Sequence, residues 1–154
     1  MSICLIGNSL TNLVLAIILV NRKIKVHLYQ NSKKKKINQN RTLGISEKNI
    51  NFFKENKIFL ENMTWPIKKI EIYNEKNKKK KILNFSNQNS NCFSIIKNDD
   101  LYRVLKKKLD KNILFKKKII KNDLYFNDIE NEYDLIINSD QNNYISKKYF
   151  SKKL

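Results

Sequence analysis

Apolar and polar positions divide the first thirty residues into three blocks. Ile3-Cys4-Leu5-Ile6 is a short unbroken apolar run, the pattern of a strand buried on both faces. Gly7-Asn8-Ser9 is a polar turn. Leu10 to about Asn21 is apolar nearly all round, which predicts a buried helix. Lys23 to Tyr29 then alternates, with Ile24, Val26 and Leu28 apolar, and predicts a second strand. Strand, turn, helix and strand follow at the spacing of a βαβ unit.

The pattern beyond Gln30 is more broken. Asn31 to Asn40 is polar and lysine-rich and reads as a surface loop. Ser46 suits the N-cap of a short helix running to about Asn56, with Ile50 and Phe53 inward. Ile67 to Tyr73 and Ile82 to Phe85 read as strands joined by a charged hairpin loop, Asn74 to Lys81. Phe93 to Ile96 reads as another strand. Asn98 to Leu109 is the clearest amphipathic helix, with Leu101, Val104, Leu105 and Leu109 on one face. Asp99 and Asp100 at its start and Lys106 to Lys108 near its end suit the helix dipole. Strand-like pieces follow at Ile113 to Ile120, Leu124 to Phe126 and Tyr133 to Asn138. The predicted class is α/β: a Rossmann-like βαβ unit with an inserted or adjoining β-sheet.

Composition adds a large charge. The chain has 154 residues, a formal net charge of +18 and a pI near 9.9. Such a balance commonly marks a nucleic-acid or anionic-membrane partner. Here only Arg22, Arg41 and Arg103 among the 32 basic residues are arginines, the residue that phosphate clamps and base readers favour. Lys, Asn and Ile supply 75 of the 154 residues, the signature of drift toward AT-rich codons, so the lysines read first as a solvated surface. Cys4 and Cys92 lie far apart and His27 is the single histidine. That spacing fits no zinc site or disulfide framework and suits a reducing cytoplasm. His27 reads as a strand residue satisfied on one side. Ile3 to Val20 is uncharged, yet Gly7, Asn8, Ser9, Thr11 and Asn12 interrupt it, which argues against a spanning helix or a signal peptide.

The turn after the first strand carries the candidate chemistry. A dinucleotide-binding turn reads GxGxxG, with glycines for the turn, for approach of the pyrophosphate and for helix–strand packing. Here the six positions are Gly7-Asn8-Ser9-Leu10-Thr11-Asn12, so the first glycine alone is kept. A helix N-terminus can still hold a phosphate on its backbone N–H groups. Gln30 stands where an acidic residue usually meets the ribose.

Four blocks, taken in order, resemble the N-terminal half of the flavin-dependent aromatic hydroxylases, and in particular the ubiquinone-biosynthesis branch of the 2-polyprenyl-6-methoxyphenol hydroxylase type. They are Ile6 to Gln30; Arg41-Thr42-Leu43-Gly44-Ile45-Ser46, similar to R-[TA]-x-[AG]-[LI]-S; Pro66-Ile67-Lys68-Lys69-Ile70, similar to P-I-x-x-I; and Asn98 to Leu105, similar to N-R-x-L-x-x-x-L. Tyr133 to Asp140 resembles the strand leading into the family's D-G motif. The resemblance implies an FAD-binding domain over residues 1–154: the βαβ unit at 1–30, sheet strands at 66–96, a helix at 98–110 and a strand at 133–140. It implies that Gly7, Ser9, Leu10 and Thr11 line the pyrophosphate turn and that Gln30 meets the adenosine ribose. Arg41 would reach FAD, Asn98 would offer a cofactor-contacting amide, Arg103 would supply a basic position, and Asp140 would stand near the pyrophosphate.

The implied activity is hydroxylation of an aromatic ring by an NAD(P)H- and FAD-dependent monooxygenase. The chain would then be cytoplasmic or peripheral to the inner membrane. Its partners would be a prenylated aromatic substrate and other ubiquinone-pathway enzymes, with no nucleic acid and no metal. No residue of the chain is assigned acid–base or nucleophilic chemistry, because the flavin carries the oxygen chemistry. Asp99 and Gln141 depart from the family's Arg and Gly, and the family's later half has no counterpart, so the chain reads as incomplete: a fragment or a diverging copy. Two other readings stay open. One is a lysine-rich module that binds nucleic acid or anionic surfaces without catalysis; the other is an α/β fold whose nucleotide site has decayed.

Overall fold

The structure, a computed structural model, describes residues 1–31, 41–60, 62–76, 80–86, 91–120, 129, 131–141, 143 and 145–147. The predicted strand at Leu124 to Phe126, most of the predicted loop at Asn31 to Asn40 and the last seven residues, 148–154, lie outside these residues. The chain forms two compact units, Met1–Lys36 with Tyr102–Leu154, and Ile37–Leu101.

The first unit is built on a four-stranded parallel sheet. Strands β1 (Ser2–Ile6) and β2 (Lys25–Asn31) flank helix α1 (Leu10–Asn21) in sequence. With β8 (Phe115–Ile120) and β9 (Leu135–Asn138) they stand in the order β8-β2-β1-β9, every neighbouring pair parallel. The apolar run of β1 is explained by this central place, since Ile3, Cys4, Leu5 and Ile6 are all buried. Register aligns Ile3 with Val26 and Leu5 with Leu28 on one face, and Cys4 with His27 and Ile6 with Tyr29 on the other. The second face builds a cluster of Cys4, Ile6, Tyr29, Ile120 and Ile129, flanked by Tyr133, Ile136 and Ile145. Helix α1 packs on β1 and β2 through buried Leu13, Ala16, Ile17 and Val20. Each fully buried aliphatic side chain here contributes about 1.5–3 kcal/mol.

In the second unit, β3 (Thr42–Ile45), β7 (Phe93–Lys97) and β4 (Thr64–Ile67) form an antiparallel sheet in the order β3-β7-β4. Strands β5 (Lys69–Tyr73) and β6 (Lys81–Ser86) form a separate two-stranded ribbon. Helix α2 (Glu47–Glu55) starts on Ser46, whose hydroxyl accepts from the Asn49 amide at 3.2 Å. Helix α3 (Asn98–Asp110) buries Leu101, Leu105 and Leu109 at a spacing of four, as its pattern predicts. The run Ile67 to Tyr73, expected as one strand, breaks at Lys68, where the chain leaves the β7 sheet and enters the ribbon. Pro66 is tolerated because β4 is an edge strand. Among the described residues no helix is long and apolar enough to cross a membrane.

Helices α1 and α2 end in the same way. After α1, the Lys23 amide donates to Val20 O and the Ile24 amide to Leu19 O, with Lys23 at φ 64°. After α2, the Lys57 amide donates to Lys54 O and the Ile58 amide to Phe53 O, with Lys57 at φ 58°. Each is a Schellman turn with lysine in the left-handed position that glycine usually fills. A β-carbon there costs about 1 kcal/mol. Lys23→Gly is therefore expected to stabilise the chain by about 0.5–1 kcal/mol. Urea denaturation reads the shift, and a lower midpoint for the variant contradicts this account of the turn.

Candidate cofactor site at the β1–α1 turn

The turn is fixed by backbone before any side chain acts. Gly7 has φ 105°, a conformation open to glycine and strained for other residues. Its amide donates to Tyr29 O at 2.8 Å, tying the turn to β2. The Ser139 amide donates to Ile6 O at 3.0 Å, bringing the chain past β9 against the same turn. A β-carbon at position 7 would stand 3.1 Å from the Ser139 hydroxyl and from Asp140 Cβ, and 3.2 Å from the Asp140 amide. Gly7 and Asp140, two of the residues singled out by sequence, thus meet at the C-terminal edge of the parallel sheet. In open α/β sheets this edge is where ligands bind.

Ser9 and Asn12, at the two lost glycine positions, take up structural duties. Ser9 caps α1, its hydroxyl accepting from the Asn12 amide at 3.2 Å. It also lies 3.1 Å from the Ser139 hydroxyl. Asn12 is buried and turns its Nδ2 back on the turn, donating to Ile6 O at 3.0 Å and Gly7 O at 2.8 Å. Its side chain is spent inward and does not project from the helix end. The helix ladder leaves the Leu10 and Thr11 amides without intrahelical acceptors, aimed with the positive end of the helix dipole. Gln30 sits half-buried near the end of neighbouring β2. The site offers the helix amides, the Ser9 hydroxyl and the Gln30 carboxamide around a glycine turn, with Asp140 at its edge; the helix N-terminus is the part able to hold an anion such as a pyrophosphate.

Asp140 is held by a carboxamide and hydroxyl network that the sequence did not announce. Its amide donates to Asn138 Oδ1 at 3.1 Å, and its carbonyl accepts from the Ser146 hydroxyl at 2.7 Å. Buried Asn143 links the two, donating to Asn138 Oδ1 at 2.7 Å and accepting from the Ser146 amide at 2.8 Å. At the exposed tip of the turn, Asn8 Nδ2 donates to the Tyr102 hydroxyl at 2.7 Å. Arg103 follows on α3 and is exposed. Arg41 and Asn98 lie in the second unit, where the Asn98 amide donates to Arg41 O at 2.9 Å. The structure thus joins Gly7, Ser9, Leu10, Thr11 and Asp140 in one turn region and Arg41 with Asn98 in another.

The opposite face of the sheet carries a second polar group of residues. His27 Nδ1 is 2.5 Å from the Tyr133 hydroxyl, which is 3.0 Å from the Tyr29 hydroxyl and accepts from Lys118 Nζ at 3.2 Å. The Tyr133 hydroxyl thus bridges His27, Tyr29 and Lys118, and the tautomer of His27 sets which partner donates along the chain. His27 Nε2 is buried without a hydrogen-bond partner among the described residues. Burial, reinforced by the charges of Lys118, Lys25 and Lys116, pulls His27 below its ordinary range. Burial likewise pushes the Cys4 thiol up to about 12, so it is an inert core residue.

Solved structures share this architecture. Over 75% of this chain and 28% of its own, 2,6-dihydroxypyridine-3-hydroxylase from Arthrobacter nicotinovorans matches with a TM-score of 0.56 at 15% identity. A protein of Pseudomonas aeruginosa described as a probable FAD-dependent monooxygenase matches over 77% of this chain and 32% of its own, with a TM-score of 0.63 at 13% identity. The p-nitrophenol 4-monooxygenase of Pseudomonas putida matches over 76% and 31%, with a TM-score of 0.59 at 11% identity. The chain spans about a third or less of the length of these proteins. At such identities the likeness establishes the fold, that of the Rossmann-like FAD-binding domain of these hydroxylases. No protein-family model matches the sequence, and no curated protein does.

Two outcomes follow from this geometry. Gly7→Ala must strain the backbone and push Ser139–Asp140 away, for an expected loss of about 2–3 kcal/mol by chemical denaturation. A loss below half a kcal/mol would mean the turn relaxes freely. For His27, the folded state holds the ring neutral while the unfolded state takes up a proton near pH 6.5. Stability is then fully present above about pH 6.5 and falls as pH drops below it, before carboxylates titrate. The slope between about pH 7 and 5.5 should flatten in His27→Gln; an unchanged slope would assign it to another group.

Proposed function

We propose that the β1–α1 turn holds the ADP portion of FAD, and that the chain is the FAD-binding portion of an NAD(P)H- and FAD-dependent monooxygenase that hydroxylates an aromatic ring in ubiquinone biosynthesis. The observation that carries this reading is the packing of Ser139–Asp140 onto Gly7 at the sheet's C-terminal edge, beside a capped helix N-terminus. The fold shared with aromatic-ring hydroxylases supports it. The residues present fit the group. Gly7 makes the tight turn, and the Asn12 side chain is turned away from the helix end.

In this reading the Leu10 and Thr11 amides and the Ser9 hydroxyl bind the pyrophosphate, and the Gln30 carboxamide hydrogen-bonds the adenosine ribose. Asp140 positions the turn through its backbone. For Arg41, Asn98 and Arg103 a cofactor role rests on motif resemblance. Bound FAD supplies the oxygen-activating chemistry, with NAD(P)H as the source of reducing equivalents. The ring hydroxylation, its prenylated substrate and association with other pathway enzymes at the inner membrane belong to the whole enzyme that this portion would serve.

Purification in the presence of FAD tests the reading. Retained flavin absorbance is expected, with Gln30→Leu about tenfold weaker in binding through loss of the ribose contact. A correctly folded, colourless chain that takes up no FAD at tens of micromolar rejects the cofactor assignment and leaves the decayed-site alternative.

A further inference from the structure

His27 lies on β2, beside the strand that ends at Gly7. Register sets it between Cys4 of β1 and Lys116 of β8, and sets Tyr29, next on the same face, between Ile6 and Lys118. The Tyr133 hydroxyl joins these two β2 residues, 2.5 Å from His27 Nδ1 and 3.0 Å from the Tyr29 hydroxyl. Its ring stands edge-on to both, 5.4 Å from the centre of the His27 ring and 6.1 Å from that of Tyr29. Tyr29 and Tyr133 each lead to the cofactor turn. Tyr29 O accepts from the Gly7 amide at 2.8 Å. Tyr133 stands at the entry to β9, where the Asp134 carboxylate accepts from the Ser2 amide at 2.6 Å. Strand β9 in turn delivers Ser139 and Asp140 to Gly7.

The ring occupies a seat that resists a proton. It is 8% exposed. Whichever tautomer the neutral ring takes, protonation puts an N–H on both nitrogens. Nε2 is buried without a partner among the described residues, so the seated imidazolium would carry an unsatisfied charged donor. The groups facing it oppose the charge further. Lys25 on its own strand and Lys116 and Lys118 on β8 repel it, and Glu132, 3.7 Å from Lys118, is the carboxylate that favours it. Cys4 on β1 is a protonated thiol, and burial keeps the Tyr133 phenol protonated. Protonation therefore favours a ring that has left its seat, and leaving it parts the ring from Tyr133.

We propose that His27 is a positioning residue of the cofactor turn. Its neutral ring holds Tyr133 against Tyr29; protonation unseats the ring, loosens the contacts of Gly7 with Tyr29 O and with Ser139–Asp140, and weakens the hold of the turn on its cofactor. The last step rests on the reading of that turn as an FAD site. Cofactor binds the seated state, so affinity is full above the His27 midpoint and falls as pH drops through it, by at most about tenfold per pH unit for one proton.

The sequence supplies its own probes. His27 is the single histidine, and Gly7 and Gly44 are the two glycines, one in each unit. NMR of the full chain without FAD, between about pH 7.5 and 5, follows the His27 ring and the exchange protection of both glycine amides. Gly7 protection, corrected for intrinsic exchange, is expected to fall with the His27 midpoint while Gly44 holds. In His27→Gln the Gly7 step should vanish. In Tyr133→Phe, which keeps the ring and removes the hydroxyl, His27 should titrate without moving Gly7. Flavin fluorescence then reads FAD affinity over the same range, expected to fall at the His27 midpoint and to stay level in His27→Gln. Gly7 protection that is flat through the midpoint, or a ring that never titrates on the folded chain, overturns the proposal. So does equal loss at Gly44, which marks general unfolding, or FAD affinity that ignores the midpoint. A Gly7 step without flavin uptake at any pH upholds the coupling and rejects the FAD reading alone.

Discussion

Position 7 is the point on which the first unit turns. Three strands converge on it: β1 ends there, β2 receives its amide at Tyr29 O, and the chain leaving β9 passes within 3.1–3.2 Å of the place a β-carbon would occupy. A single backbone conformation, at φ 105°, lets all three meet. Sheet order, helix entry and placement of Asp140 depend on that meeting, because Ile6 O accepts from Ser139 on one side and Asn12 on the other. Retention of one glycine of three is thus physically selective. The first is demanded by torsion and by backbone crowding, and no side-chain chemistry can replace it.

The other two glycine positions show what can be replaced. A glycine at position 12 would let helix and strand approach; Asn12 occupies that space and returns two hydrogen bonds to the turn, so its bulk is offset by fixed geometry. Ser9 exchanges an open approach for a helix cap. The same substitution logic holds at the helix ends, where Lys23 and Lys57 stand in the left-handed position. A chain with two glycines pays at these turns with strained lysines, and it recovers part of that cost by seating Ile24 and Ile58 next to them, Ile58 fully buried. Lysine enrichment therefore reaches into backbone turns as well as solvated faces.

Legibility of the sequence followed burial. Strand β1, helix α1 and strand β2 were readable because both faces of β1 and one face of α1 are buried, although Val14, Leu15, Ile18 and Leu19 are only half-buried and the helix is less buried than its all-round apolar pattern predicts. Helix α3 was readable because one face is buried and the other wet. The break between β4 and β5 left a fainter mark, a spacing of three between Ile67 and Ile70 that puts them out of phase for one strand where the partner changes from β7 to β6. Strand β3 was hidden: of Thr42 to Ile45, only Ile45 is buried. At the site, Gly7 was legible from motif spacing and Asp140 from the family resemblance alone, whereas Ser139, Asn143 and Ser146 act through hydrogen bonds whose geometry leaves no periodic trace.

The network on the far face explains why an otherwise apolar sheet tolerates a histidine and a lysine beside its core. Tyr133 accepts from Lys118 and hydrogen-bonds both Tyr29 and His27, so one hydroxyl serves three neighbours. The ammonium lies 5.2 Å from the centre of the Tyr29 ring and 5.8 Å from that of Tyr133, where the ring faces attract a cation. Hydrogen bonding to Tyr29 first, and to Tyr133 after it, holds Lys118 above its usual range, and the charge adds to the burial that keeps His27 neutral. Among the described residues, the one buried side-chain nitrogen or oxygen without a hydrogen-bond partner is His27 Nε2. A buried polar atom left unpartnered in this way costs about 1–3 kcal/mol. The sheet bears it because Tyr29, on the same strand and face, lies at the centre of the core cluster with Cys4 and Ile6. Polar satisfaction here is subordinate to the packing that brings β2 alongside β1, and that packing is what delivers Tyr29 O to the Gly7 amide.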